Sequence, residues 1–269
     1  MRALTINIFT QKMEIKVWGN GHRLLLCFHG FGTGADSFEC LETSLGRDYT
    51  IVAMDLPHHG TAKWNKKYLE WNDLEEAIRL ILNQFQQNKF SLLGYSMGGR
   101  LSLYVTQRLG EQVEELILIA PDGLKNNRWH LFATQTFTGN WLFRYSAYHP
   151  ALFFGLLKAG KKTGLLDERL YKFAHQSMDS FAKREKVYMV WTCMKKMLPH
   201  KKIVKEIIRQ NKIKTLLFFG KYDRVIPPVM GKYFCKNLNG AEMIVLEKGH
   251  NLLSAELAKI IRQKLKSGE

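Results

Sequence analysis

Cysteine is scarce in this 269-residue chain. Its four cysteines, at positions 27, 40, 193 and 235, form no Cys-x-x-Cys pair and follow no regular spacing. That excludes a disulfide framework and a thiolate metal site, and the thiols read as the reduced side chains of a cytosolic protein. Long apolar runs are missing too. No window of 18 apolar residues occurs, and the N-terminal stretch Met1–Asn7 lacks the apolar segment of a secretory leader, so neither a membrane span nor secretion is expected. Internal repeats and low-complexity segments are absent. Acidic residues are outnumbered, 24 Asp and Glu against 40 Lys and Arg, for a formal net charge of +16. Between Lys158 and Lys214 there are 16 Lys or Arg against 5 Asp or Glu, which concentrates the excess. Such a balance is read as a lysine-rich solvated surface before anything else; nucleic-acid or membrane binding through a basic patch, and attraction of an anionic small substrate, are the functional alternatives. No nucleic-acid-binding module accompanies the charge, and no nucleic-acid partner is expected.

What the chain does contain is an alternation of strands and helices. Residues 4–9 and 13–18 alternate apolar and polar, as half-exposed antiparallel strands do. Leu24–Phe28, Leu116–Ile119 and Met243–Leu246 are instead apolar without interruption, and Thr50–Met54, Phe90–Leu93 and Thr215–Phe219 are apolar but for one Thr or Ser each, the pattern of strands buried on both faces. Helices are expected over 36–45, over 69–87 with Leu74, Ala77, Ile78, Ile81, Leu82 and Phe85 on one face, after the strand at 90–93, and over 252–265. This order implies an α/β fold with a mostly parallel sheet covered on both faces. Residues 124–212 break the rhythm. They hold no buried strand and are crowded with aromatic residues, and they read as an inserted helical cap, or lid, on a core of residues 1–123 and 213–269.

The chemistry is carried by Gly94-Tyr95-Ser96-Met97-Gly98, which follows one of the apolar strands and opens a helix. A serine between two such glycines occupies the apex of a sharp strand-to-helix turn, where its hydroxyl projects above the sheet. A hydroxyl needs a base to become a nucleophile, and the base needs an orienting carboxylate. Asp223 and His250 each follow the end of a later strand, so the chain order is serine, acid, histidine. The ends of parallel strands share one edge of the sheet, which lets all three groups converge. Asp122 also ends a strand and competes with Asp223 for the acid role. The loop His29-Gly30-Phe31-Gly32 follows an earlier buried strand, and the backbone N–H groups of Phe31 and Met97 are the expected oxyanion donors. His29 reads as a structural residue that orients its own loop. Adjacent His58 and His59 point apart and have no third ligand, so no metal is expected, and no cofactor. Tyr95 and Arg100 beside the serine, with Trp129 and Trp141 in the insertion, are the candidate substrate contacts.

These motifs, with Asp55-Leu56-Pro57 and Gly220-Lys221-Tyr222-Asp223 followed by Pro227, resemble the α/β-hydrolase family over nearly the whole chain. The resemblance implies an eight-stranded sheet with a helical cap after the sixth strand, Ser96 as nucleophile, Asp223 as acid, His250 as base, and no dissociable cofactor. The expected function is a serine hydrolase acting on a carboxylic ester, thioester or related carbonyl compound, with an apolar acyl group or an anionic substrate. The elbow Gly94-Tyr95-Ser96-Met97-Gly98-Gly99-Arg100 is also similar to that of the menaquinone-pathway synthases that eliminate pyruvate, which makes a carbon–carbon lyase the alternative. A binding protein on a hydrolase scaffold is a third reading. The sequence departs from those synthases in Ala120-Pro121-Asp122-Gly123-Leu124, and from the wider family in His58, where a glycine usually follows the proline.

Overall fold

A computed structural model describes residues 2–8, 11–125, 128–164, 171, 175 and 178–267. Its sheet has eight strands: β1 (Arg2–Ile8), β2 (Gln11–Trp18), β3 (Arg23–Phe28), β4 (Tyr49–Met54), β5 (Phe90–Tyr95), β6 (Val113–Ile119), β7 (Lys214–Gly220) and β8 (Ala241–Leu246). Their spatial order is β1-β2-β4-β3-β5-β6-β7-β8. The pairings of β1 with β2 and of β2 with β4 are antiparallel, and every later pairing is parallel. The apolar runs of β3 to β7 are buried on both sides, whereas Met243–Leu246, expected to be buried likewise, lies in β8 at the sheet edge, where it has a core on one side only and Val245 is 44% exposed. Leu25, Cys27, Leu93, Ile117, Ile119 and Phe218 enter one core layer with Phe38, Leu41, Leu45, Leu257 and Ile261. Their neighbours Leu24, Leu26, Phe28, Leu92, Leu116, Leu118 and Leu217, one residue out of phase, are buried as well.

Helix boundaries follow capping chemistry. The segment expected to be helical from residue 36 opens as a 3-10 turn, Ala35–Leu41, and becomes α-helical only over α1 (Glu42–Leu45). The helix expected over 69–87 is confined to α2 (Trp71–Gln84), where Glu70 and Asp73 close a capping box. The helix after the elbow is α3 (Met97–Leu109). At the C-terminal end Ser254 accepts the Leu257 N–H at 3.2 Å, so the last helix starts at residue 255 and not at 252.

The chain divides into two compact units. The first joins Met1–Asn65, Glu70–Lys125 and Met197–Glu269, and contains the whole sheet. The second joins Lys66–Leu69 to Asn126–Lys196, a narrower span than the expected insertion of 124–212. The difference lies mainly in the helix Lys201–Gln210, which belongs to the sheet unit: Val204 and Ile208 are buried, and Ile207 closes on Gly110 so tightly that a β-carbon there would lie 2.1 Å from the Ile207 methyl. Four helices form the described body of the second unit: α4 (Arg128–Gln135), α5 (Phe137–Tyr148), α6 (Pro150–Lys162) and α7 (Phe181–Cys193). Much of its aromatic content is its own interior. Phe143 meets Tyr188 edge-on at 5.4 Å and tilts against Trp191 at 5.5 Å, and His130 lies 4.8 Å from Trp191. Arg184 is buried there and satisfied by backbone, donating to the carbonyls of Ala147, Met178 and Asp179.

A second feature of the sheet unit lies at the edge from which β3 and β4 start. Glu115 accepts from the Tyr49 hydroxyl at 2.6 Å and the Ser91 hydroxyl at 2.7 Å, and pairs with Arg23 at 2.9 Å. Arg23 also donates to the Tyr49 hydroxyl at 2.9 Å. Burial, reinforced by the Glu115 charge, pushes the Tyr49 phenol far above its ordinary pKa, so it stays protonated and donates to Glu115 at neutral pH. The network ties together four parallel strands at the end opposite the elbow.

Candidate active site

Ser96 connects β5 to α3 with φ 52° and ψ −115°, a left-handed conformation that costs a non-glycine residue about 1–3 kcal/mol. The surrounding backbone over-determines it. The Ser96 N–H donates to Ile119 at 2.9 Å, and the Ser96 carbonyl accepts from both Gly99 and Asp122 at 2.9 Å. The elbow glycines permit this packing because neither has room for a side chain: a β-carbon on Gly98 would lie 1.8 Å from the Phe28 carbonyl oxygen, and one on Gly94 would lie 2.5 Å from the Ser102 hydroxyl.

The other two groups arrive on the ends of β7 and β8. A β-carbon on Gly220 would lie 2.1 Å from the Gly249 carbonyl, so the two strand ends run close enough to bring their loops together. Asp223 is almost fully buried, and its Oδ1 accepts the N–H groups of Val225 and Ile226 at 2.8 and 2.9 Å. Its Oδ2 is 2.7 Å from His250 Nδ1, and His250 Nε2 is 3.0 Å from Ser96 Oγ. A carboxylate can only accept, so Nδ1 carries the proton and Nε2 offers its lone pair to the serine hydroxyl. Asp122 is placed elsewhere: its Oδ2 lies 3.5 Å from Arg100 Nε, and its Oδ1 accepts the Gly123 N–H. Of the two candidate acids, the structure brings Asp223 to the histidine.

Tyr95 is buried against the histidine, its ring 5.7 Å from that of His250 and its hydroxyl 3.3 Å from the His250 carbonyl and from Asn251 Oδ1. Burial, then the Asp223 charge, raises its pKa. Arg100 has about 5% of its side chain exposed and pairs with Asp122, so its charge already has a carboxylate beside it. Trp141 lies in the second unit on α5, stacked on Tyr145. Trp129 falls in α4, and its side chain lies outside the described residues.

The loop expected to carry an oxyanion donor is held against the elbow: a β-carbon on Gly30 would lie 3.3 Å from Ser96 Cβ. Two histidines brace it. His29 Nε2 accepts the Leu56 N–H at 3.0 Å, which leaves Nδ1–H to donate to the Gly30 carbonyl at 2.8 Å. His59, also buried, accepts the Gly32 N–H at Nε2 (3.1 Å) and donates from Nδ1 to the Pro57 carbonyl (3.0 Å). Its ring meets Phe31 edge-on at 5.6 Å. The sequence offered His59 only as half of a rejected metal pair, and its hydrogen bond to a residue 27 positions earlier left no local signal. Asp55 completes the brace, accepting from the Ala35 N–H, the Thr61 N–H and the Thr61 hydroxyl. Burial alone would raise its pKa, but these donors hold the carboxyl below its usual value. His58 takes φ 64° in the same loop, which gives a physical reason for the glycine usual at that place.

A family model described as the α/β-hydrolase fold matches residues 23–256. Among curated relatives, the chain is 23% identical over 253 residues to an uncharacterized hydrolase, YugF, of Bacillus subtilis, covering 90% of this chain and 88% of the relative. It is 25% identical over 250 residues to a pimeloyl-[acyl-carrier protein] methyl ester esterase of Neisseria meningitidis, covering 88% and 90%. Among solved structures, a thermophilic esterase from Thermogutta terrifontis superimposes with a TM-score of 0.71 at 15% identity, covering 99% of both chains, a likeness of fold. Strand order, the left-handed turn at Ser96 and a family match that spans most of the sequence agree, and the chain belongs to the α/β-hydrolase fold family.

Proposed function

We propose that this protein is a serine hydrolase of carboxylic esters or thioesters, with Ser96 as nucleophile, His250 as general base and then general acid, and Asp223 as the carboxylate that fixes the histidine. One observation carries the reading: the His250 ring bridges Ser96 Oγ at 3.0 Å and Asp223 Oδ2 at 2.7 Å. As Ser96 Oγ attacks the substrate carbonyl, His250 Nε2 takes its proton, and the imidazolium is stabilised by the Asp223 carboxylate. The carbonyl oxygen becomes an oxyanion that accepts from the Met97 N–H, at the start of α3, and from the Phe31 N–H, on the loop braced by His29 and His59. Collapse of the tetrahedral intermediate expels the alcohol or thiol, which leaves with the proton from His250. Water then attacks the acyl-enzyme by the same route in reverse.

The esterase among the relatives supports an ester as the substrate. A fluorophosphonate probe forms a bond only with an activated serine. Labelling of the wild-type protein, lost in Ser96→Ala and accompanied by turnover of p-nitrophenyl acyl esters, is the expected result. A wild-type protein that neither labels nor turns over such esters would overturn the proposal in favour of a binding protein on this scaffold.

A further inference from the structure

Helix α6 is only half-covered: Leu152, Phe153, Phe154 and Leu157 are half-buried, Phe154 tilting against His175 at 4.5 Å, while Leu156, Lys158 and Lys162 are exposed. Its sequence, Pro-Ala-Leu-Phe-Phe-Gly-Leu-Leu-Lys-Ala-Gly-Lys-Lys, is apolar over its first eight residues, yet none of the thirteen is buried. A helix this apolar ordinarily hides a stripe of side chains against its neighbours. The helix before it presents a second uncovered face. Phe137, Trp141, Tyr145 and Tyr148 fall on one side of α5 by helical period, and all four are exposed, Phe137 to 88% and Trp141 to 60%. The two helices are joined through stacked rings: Trp141 on Tyr145 at 5.6 Å, and Tyr145 on His149, the residue preceding α6, at 3.9 Å.

Charge indicates what this surface meets. The second unit carries fourteen Lys or Arg against four Asp or Glu across its sequence, and Lys158 and Lys162 are exposed on the last turns of α6. Exposed Trp and Tyr rings suit the headgroup level of a bilayer, lysine stems bury while their ammonium groups reach lipid phosphates, and Phe and Leu enter the acyl boundary. At about 1.5 Å per residue, α6 is roughly 20 Å long, too short for a hydrocarbon core of about 30 Å. No helix among the described residues is long and apolar enough to cross a membrane. Contact is therefore superficial.

We propose that the exposed faces of α5 and α6 form a docking surface for an anionic phospholipid bilayer. Trp141 lies at the headgroup level, Phe137 and Leu156 enter the acyl boundary, and Lys158 and Lys162 meet the phosphates. The surface acts independently of the chemistry at Ser96.

The 269-residue chain, mixed with vesicles of phosphatidylglycerol and phosphatidylcholine at about 0.15 M salt, should float with them and not with pure phosphatidylcholine. Phe137→Ser combined with Leu156→Ser, and separately Lys158→Glu combined with Lys162→Glu, should each lower the bound fraction about tenfold. Brominated acyl chains should quench the fluorescence that wild type has in excess of Trp141→Phe, a measurement on the intact surface that does not depend on either pair of variants folding. No flotation would assign the faces to a protein partner and overturn the proposal. So would flotation indifferent to lipid charge, or flotation that persists in the Phe137→Ser, Leu156→Ser protein without quenching of Trp141.

Discussion

Replacing Asp223 by asparagine changes one atom and should remove almost all activity, for a reason visible in the hydrogen bonds. Oδ1 of Asp223 accepts two backbone N–H groups, from Val225 and Ile226, while Oδ2 faces His250 Nδ1. In Asp223→Asn the amide oxygen keeps the two backbone donors, because an NH2 group in that position would meet N–H groups head-on. The amide nitrogen is then left facing Nδ1 and can only donate. His250 must accept at Nδ1, so its proton moves to Nε2, the atom 3.0 Å from Ser96 Oγ that has to receive the serine proton. The geometry survives and the base is lost. The expected fall in kcat is about 10⁴-fold, or about 5.4 kcal/mol of transition-state stabilisation, with KM changed only a few-fold. In Asp122→Asn only the contact with Arg100 weakens, on a side chain 45% exposed, so the rate should stay within about threefold and stability within about 1 kcal/mol. Steady-state hydrolysis of a p-nitrophenyl ester by the three proteins measures both effects, with the unfolding midpoint as a control for structure. An Asp223→Asn protein within tenfold of wild type, or a loss of several decades in Asp122→Asn, would refute the assignment of the acid.

Three further outcomes follow from the contacts around the sheet. His59→Phe keeps the bulk beside Phe31 but removes the acceptor of the Gly32 N–H, and should lower kcat roughly 10- to 100-fold with KM little changed, while His59→Gln restores part of the rate; a parallel rise in KM would indicate a general loss of the loop. Glu115→Ala removes the buried acceptor of the Tyr49 and Ser91 hydroxyls and leaves the half-buried Arg23 only the more distant Glu114, and should cost about 1–3 kcal/mol in urea unfolding while leaving kcat per folded molecule unchanged, since the network lies at the edge away from Ser96; a lower kcat with unaltered stability would contradict it. The pKa of Asp55 is lower in the fold than in the unfolded chain, so its contribution is present above an unfolded-state value of about 3.9 and fades as pH falls through the lower folded value; the urea midpoint of wild type should drop across that acid window more steeply than that of Asp55→Asn.

Much of the fold was legible because it rests on local patterns. The continuous apolar runs ending at Phe28, Met54, Ile119 and Phe219 mark strands with a core on both sides, and the two alternating segments before them became the antiparallel pair at the sheet edge. Gly94 and Gly98 announce a turn whose neighbours leave no volume for a β-carbon, so the elbow at Ser96 can be read from five residues. Boundaries were less legible: Lys201–Gln210 has the periodicity of a helix wherever it packs, and only the closure of Ile207 on Gly110 assigns it to the sheet unit.

The sequence by itself determined which chemical groups are available and in what order they follow the strands: a serine at an elbow, two candidate carboxylates, a late histidine and a glycine-containing loop. Only the tertiary structure brings Asp223, and not Asp122, to the histidine, because that depends on how the loops after β6 and β7 leave the sheet. It alone turned His59 into the acceptor that steadies Gly32, and placed Asp55 under the N–H groups of Ala35 and Thr61. Strand periodicity and turn steric limits are properties of a few consecutive residues, whereas these hydrogen bonds join atoms brought together by the register of separate strands, to which no single stretch of sequence has access.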